Sequence, residues 1–261
     1  MQKITPILET KNLKVHRNGV AVIENATFVI NRGDYVGIIG PNGGGKTTLL
    51  NVLLGFLPYT QGSIHLFNTE LTNFSSWQKI AYISQQATNF EDQFPITVRE
   101  LVSLGCIKKD KLGRRFTQKD WQIVEDNLEF MGLSDVANRR IGQLSGGQKQ
   151  RMFVAKALIH NPELILLDEP IVGVDSNAQE KFYKKLSDLN IERKITILIV
   201  THDLASVFCR MSKVMCVNKN VELAEITQEL DTTLLLKRAY GEHFHFVYHR
   251  HDCEGVFTSE H

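Results

Sequence analysis

Gly40 to Thr48, reading GPNGGGKTT, follows the apolar run Tyr35-Val36-Gly37-Ile38-Ile39 and precedes Leu49, Leu50, Val52, Leu53 and Leu54. A buried strand, a tight loop and a helix are expected in that order. Glycines let the loop curl until several backbone N–H groups point inward, and the new helix aims its positive end at the same place. The result is an anion cradle. The full GxxxxGK[ST] spacing is met by Gly40, Pro41, Asn42, Gly43, Gly44, Gly45, Lys46 and Thr47, with Thr48 next in the helix. In that pattern Lys46 reaches the β and γ phosphates of a nucleotide, and the Thr47 hydroxyl can ligate Mg²⁺. The plainer reading is a glycine-rich turn without a ligand; the strand and helix on either side weigh against it. The loop indicates nucleotide binding alone, so the use of the nucleotide must be read elsewhere.

With 261 residues the chain can form one large α/β domain or a core with a subdomain, and is cramped for two unrelated domains. Hydrophobic residues at 43% and charged residues at 23% make disorder an unlikely default for a chain of this kind. A balance of 30 basic against 29 acidic residues leaves a net charge of +1, which argues against a broad electrostatic footprint for nucleic acid. No stretch near Met1 resembles a signal peptide, and no window approaches the roughly 18 uninterrupted apolar residues of a membrane-spanning helix. Cys106, Cys209, Cys216 and Cys253 form no CxxC pair. A reduced, cytoplasmic protein is expected, with any membrane link running through partner proteins.

Short β-rich runs at Leu13–Val15, Val20–Ile23 and Thr27–Ile30, separated by Asn18-Gly19 and ending at Arg32-Gly33-Asp34, predict antiparallel strands feeding the strand at 35–39. Two more β runs, Gly62–Phe67 and Ile80–Ser84, follow the first helix. From Gln86 to about Asn161 the pattern turns helical. A short helix at 98–104 is opened by Thr97, a basic and polar loop covers Lys108–Lys119, and an amphipathic helix at 120–131 carries Trp121, Val124, Leu128 and Met131 as core. Leu164–Leu167 ends in Asp168-Glu169-Pro170, and Ile195–Val200 ends in Thr201-His202-Asp203. Both read as parallel strands buried on two faces, with a helix over Ala178–Leu189 between them. Such strands would bring Lys46, Asp168 and His202 to one sheet edge.

Leu144-Ser145-Gly146-Gly147-Gln148, followed by Lys149-Gln150-Arg151, is the second informative motif. Two glycines permit close backbone approach at a helix start and Ser145 supplies a hydroxyl, a second anion-binding cradle. A Ser/Gly helix cap explains the local shape as well, but not the Gln-x-x-Arg that follows. Taken with GPNGGGKTT and LILLDEP, in this order, the motif resembles the ATP-binding-cassette (ABC) ATPases, over nearly all of residues 7–220.

The resemblance implies an α/β fold built as a RecA-like P-loop core with an antiparallel β subdomain, over 1–85 and 162–225. A helical signature subdomain would be inserted over 86–161 and a His-rich tail would occupy 226–261, the single ABC transporter domain spanning about 7–240. ATP and Mg²⁺ are the implied cofactors. In a homodimer, Ser145, Gly146, Gly147 and Gln148 of one copy would close on the γ-phosphate held by the loop of the other. Asp168 matches the acid that holds Mg²⁺, Glu169 the general base that polarises the attacking water, and His202 the switch histidine at the γ-phosphate. Lys46 joins them as a catalytic group. Gln85 matches the glutamine that senses Mg²⁺ and water, so Thr47, Gln85 and Asp168 form the implied Mg²⁺ set; Asp175 matches the acid that reaches across the dimer. Where the family often places an aromatic to stack on adenine, this chain offers His16-Arg17-Asn18.

One cassette without a membrane span suits an importer subunit, peripheral at the cytoplasmic face of the cell (inner) membrane. The implied partners are two multi-span permease subunits and an extracytoplasmic metal-binding protein, with no nucleic acid. Phe94–Val102 looks like the segment that meets the permease, though buried packing accounts for it equally well. Its wording, and Gly173-Val174-Asp175, are similar to the zinc and manganese uptake ATPases. In the tail, His243, His245, His249, His251 and Cys253 are all odd-numbered, so an extended segment would put them on one face and Phe244, Phe246 and Tyr248 on the other. Imidazole and thiolate suit Zn²⁺. A packed amphipathic strand or a flexible tail is the competing reading. Zn²⁺ is the favoured substrate; import of Mn²⁺ or an iron chelate, or a non-transport cassette, are the alternatives.

Overall fold

Apolar alternation near the start of the chain produces the predicted hairpin in a computed structural model that describes residues 5–88, 94–107, 115–171 and 173–241. Strands β1 (Pro6–Arg17) and β2 (Val20–Asn31) pair antiparallel, Arg17 opposite Val20. Asn18 and Gly19 take φ 50° and 77°, the left-handed pair that a two-residue hairpin loop requires. Leu13, Val15, Ile23, Ala26, Phe28 and Ile30 are buried. The runs expected as separate strands at 20–23 and 27–30 are one strand, because Glu24 and Asn25 break the apolar pattern without ending the ladder.

Strand β3 (Tyr35–Ile39) is buried along its whole length and leads into the glycine loop. Helix α1 (Lys46–Leu53) follows and buries Leu49, Leu50, Val52 and Leu53, each contributing about 1.5–3 kcal/mol. Strand β4 (Gln61–Leu66) pairs with β1, and β5 (Thr69–Glu70) with β4. The chain divides into two compact units, the described residues within 1–75 and 187–261, and those within 76–186.

The second unit holds β6 (Ile80–Ile83), α2 (Val98–Ser103), α3 (Gln118–Phe130), α4 (Gly146–Ala157), β7 (Leu164–Asp168) and the first part of α5 (Ser176–Arg193). β6 and β7 run parallel, Tyr82 opposite Leu166. Capping boxes start α2 at Thr97 with Glu100 and α3 at Thr117 with Asp120. Asp120, read as the start of α3, is instead the third residue whose carboxylate folds back on Thr117. Val124, Leu128 and Met131 are fully buried as expected, but Trp121 is only partly so. Its indole lies 5.2 Å from the Phe116 ring, with the Arg99 guanidinium 4.4 Å over it, so a cation rather than the core covers its face.

The first unit resumes after α5 with β8 (Thr196–Val200), α6 (Leu204–Arg210), β9 (Lys213–Asn218), β10 (Asn220–Glu225) and α7 (Thr232–Tyr240). Within this unit the strands are ordered β5-β4-β1-β2-β10-β9-β3-β8. The β9–β10 hairpin joins the antiparallel layer to the parallel one, since β10 runs parallel to β2 and β9 parallel to β3. At its base Lys213 is buried with its Nζ 2.9 Å from the Asp34 carboxylate. Among the described residues no helix is long and apolar enough to cross a membrane.

Candidate functional site

The loop after β3 is pressed against β9. A Cβ at Gly40 would overlap the Val217 carbonyl oxygen, and one at Gly44 would lie 2.7 Å from the same atom. Gly40 also takes φ 146°, a conformation closed to other residues, so the curl depends on glycine. Gly44 N donates to Pro41 O at 3.0 Å, and Lys219 N to Gly44 O at 3.2 Å. Asn42 and Gly43 are exposed at the mouth, and Gly45 is buried at the start of α1. Lys46 is 5% exposed, and its Nζ donates to Gly40 O at 2.9 Å and Pro41 O at 3.0 Å. The ammonium thus folds back over the loop that precedes it. Thr47 is exposed beside it, while Thr48 is buried.

β8 runs parallel to β3 with Val200 opposite Ile38, and Thr201 N donates to Ile38 O at 3.1 Å. His202 therefore leaves its strand next to the point where the glycine loop leaves β3. Its ring is exposed, and Asp203 after it caps α6 by accepting from Ser206 N at 3.0 Å. Of the residues expected at one sheet edge, Lys46 and His202 are joined by this pairing; Asp168 belongs to the second unit.

There β7 ends in Asp168, 2% exposed. Tyr82, on the neighbouring β6, hydrogen-bonds that carboxylate; burial, and then the charge of Asp168, push the phenol up to about 12. Glu169 takes φ 44°, in the left-handed region. Pro170 disfavours the ordinary helical conformation before it, and the left-handed one costs about 1–2 kcal/mol. Its carboxylate accepts from Gln85 Nε2 at 3.0 Å. Carbonyl, hydroxyl and carboxylate oxygens are the donors that Mg²⁺ takes; Thr47 in the first unit, and Gln85 and Asp168 in the second, each carry one of these types.

Ser145 begins α4 through a capping box: its Oγ accepts from Gln148 N at 3.3 Å, and Gln148 Oε1 accepts from Ser145 N at 2.9 Å. The two glycines also have a packing role. A Cβ at Gly147 would lie 2.9 Å from Ala178 Cβ, and one at Gly146 would lie 3.1 Å from Val174 Cγ2. Asp175, between those neighbours, is exposed and caps α5 by accepting from Ala178 N at 2.9 Å.

The sequence profile of the family described as "ABC transporter" matches residues 23–172, more than half of the chain, including the glycine loop, LSGGQ and Asp168-Glu169. The chain belongs to the ABC transporter family. Over 215 residues this cassette is 41% identical to "Zinc uptake system ATP-binding protein ZurA" of Listeria innocua, covering 82% of this chain and 84% of that one. It is 34% identical over 235 residues to "Manganese transport system ATP-binding protein MntB" of Listeria monocytogenes, covering 90% and 96%. A solved dimeric ATP-binding cassette in a post-hydrolysis state, bound to ADP and Pi, superposes with TM-score 0.70 at 28% identity, covering 84% of this chain and 99% of that one. The fold is that of an ABC ATPase, and the chemistry of the cassette is ATP hydrolysis.

Tyr82 was not among the residues read from sequence as functional. The signal was present: it is the one side chain with a polar tip in the run Ile80-Ala81-Tyr82-Ile83, three residues before Gln85. His16, the stand-in for an adenine-stacking aromatic, lies on β1 with Nδ1 3.1 Å from Thr60 Oγ1. Among the described residues no group of three or more His, Cys, Asp or Glu is placed to hold a metal ion. The tail set of His243, His245, His249, His251 and Cys253 lies outside the described residues.

Proposed function

We propose that this cassette is the ATP-hydrolysing subunit of an importer for a divalent transition metal, with Zn²⁺ as the transported substrate. What carries the reading is the 41% identity over 215 residues to the "Zinc uptake system ATP-binding protein ZurA" of Listeria innocua, together with the glycine-loop, LSGGQ and LILLDEP motifs of this chain. Two copies would act together, Ser145, Gly146, Gly147 and Gln148 of one closing on the nucleotide in the loop of the other. The dimeric ADP-bound relative supports that arrangement. Lys46 and the amides of the glycine loop would hold the phosphates, while Glu169, steadied by Gln85, takes a proton from the attacking water and His202 orients it. Thr47, Gln85 and Asp168 would hold Mg²⁺, whose contribution when bound is to neutralise phosphate charge. Asp175 would reach the partner copy. The working division is a nucleotide core over 1–85 and 162–225 and a signature subdomain over 86–161.

Two multi-span permease subunits and an extracytoplasmic binding protein would complete the assembly, with the cassette at the cytoplasmic face of the cell membrane. In Phe94–Val102, Val98, Leu101 and Val102 are buried, so packing accounts for them, whereas Phe94 is 51% exposed. Leu104 and Ile107, each 44% exposed, border a cavity of about 440 Å³ that Tyr82, Phe153 and Lys156 also line. An apolar permease helix fits that character.

The test is ATP-driven accumulation in proteoliposomes carrying the cassette and its permease, supplied with metal-loaded binding protein. Zn²⁺ uptake exceeding Mn²⁺ uptake is expected; preference for Mn²⁺ or an iron chelate would replace the substrate, and no transport would end the importer reading. The tail is inferred to take Zn²⁺ through His243, His245, His249, His251 and Cys253. Calorimetry that finds the same zinc binding with and without residues 243–261 would remove that inference.

A further inference from the structure

We propose that Tyr240, at the end of α7, is a positioning residue for the phosphate loop, holding its first amide. Gly40 N donates to Tyr240 Oη at 3.0 Å, across 200 residues of sequence. The adjoining carbonyl, Gly40 O, accepts from Lys46 Nζ at 2.9 Å. Successive peptide groups at the pivot of the loop are therefore fixed by Tyr240 and by the lysine that meets phosphate. The far side of the loop is fixed by the same part of the fold. Asn218 Nδ2 donates to Ala239 O at 3.1 Å, and Lys219, next in the turn, donates its amide to Gly44 O at 3.2 Å. Helix α7 is seated by buried Leu235, Leu236 and Ala239.

A phenol suits this position chemically. Burial, first among its influences, raises the Tyr240 pKa, so the hydroxyl stays neutral at physiological pH. It accepts the amide hydrogen without adding negative charge beside a phosphate site, as a carboxylate would. Phenylalanine fills nearly the same volume and cannot accept. The proposal goes beyond the importer reading and needs only that the loop binds nucleotide, so failure of metal transport would not touch it.

The test uses the full chain with Tyr240→Phe. Calorimetric titration with Mg·ADP and steady-state hydrolysis should show the ADP Kd and the ATP KM raised about 2- to 10-fold, the worth of one hydrogen bond. kcat at saturating ATP should stay near the wild-type value, and the melting temperature without nucleotide should fall only by what the loss of one hydrogen bond accounts for. Leu234→Ala, on the exposed side of α7, should change none of these. Unchanged Kd and KM in Tyr240→Phe would overturn the proposal, as would a lower melting temperature and kcat at constant KM, the pattern of a purely structural role. Amide hydrogen exchange provides an independent check: the Gly40 amide should exchange faster in Tyr240→Phe, and equal rates would also overturn it.

Discussion

Replacing Gly147 by alanine tests whether the start of α4 sets the position of the segment that carries Asp175. The added Cβ would sit 2.9 Å from Ala178 Cβ, whereas carbon atoms settle about 3.5–4.0 Å apart. One side must yield by about 1 Å. α4 is anchored by buried Met152, Phe153, Val154 and Ala155, while Ser176 and Asn177 in the first turn of α5 are exposed. The first turn of α5 is the side that gives way, and Asp175, which caps it, moves with it. Overpacking of this kind costs about 1–3 kcal/mol, and exchanging glycine for alanine in a helix returns about 1 kcal/mol. Melting temperature is therefore a poor judge, and turnover is the decisive quantity. Misplacing a catalytic array by about 1 Å can lower rates about 100-fold. We expect phosphate release to fall about 10- to 100-fold while ADP affinity holds, because the glycine loop belongs to the other unit. Ala178→Gly reopens the space, so Gly147→Ala with Ala178→Gly should recover most of the lost rate. Wild-type turnover in the single variant, or a double variant no faster than the single, would refute the reasoning.

Glu169→Gln keeps an oxygen that can accept from Gln85, so it should bind ATP normally while turnover drops about 100- to 10,000-fold; turnover near the wild-type rate would remove Glu169 from the role of base. Tyr82→Phe removes one hydrogen bond from the Asp168 carboxylate, and the Mg²⁺ concentration for half-maximal hydrolysis should rise about 10-fold. Because the Tyr82 phenol is pushed up to about 12 and stays protonated below that, this effect should be flat across neutral pH, and an unchanged Mg²⁺ titration would contradict it. Asp34→Asn removes the carboxylate charge 2.9 Å from the Lys213 ammonium, 9% exposed, leaving Glu225 at 3.8 Å as its anionic partner among the described residues. Denaturant unfolding should register a loss of about 3–5 kcal/mol, and a loss below about 1 kcal/mol would mean that the pair does not carry that corner of the fold.

Motifs with a fixed chemical grammar were legible in the chain itself. The glycine loop, the LSGGQ helix start and the carboxylates after Leu164–Leu167 each combine an apolar element with the polar residues that must terminate it, so sequence order alone locates them. The buried strands β3, β7 and β8 were legible for the same reason, being continuous apolar runs. The β9–β10 hairpin was not: β9 carries the apolar run Val214–Val217 but opens with a lysine, and half-exposed β10 gives no comparable run to pair with it. Lys213 becomes intelligible only once Asp34 is seen beside it, and those residues are far apart in the chain. The packing of Gly147 was not legible for a related reason: a glycine announces that something comes close, but not that Ala178 does. Tyr240 is the extreme case, since a hydrogen bond to a backbone amide leaves no trace in the residue type at Gly40.

The left-handed backbone at Glu169 has a practical corollary for protein engineering. Glycine and asparagine enter that conformation with less strain than glutamate. A library screened only for endurance to heat would therefore enrich them at this position and, with Glu169 as the proposed base, return durable cassettes that no longer split ATP. Thermostabilised forms of the transporter need hydrolysis as a co-selected trait, or this position withheld from randomisation.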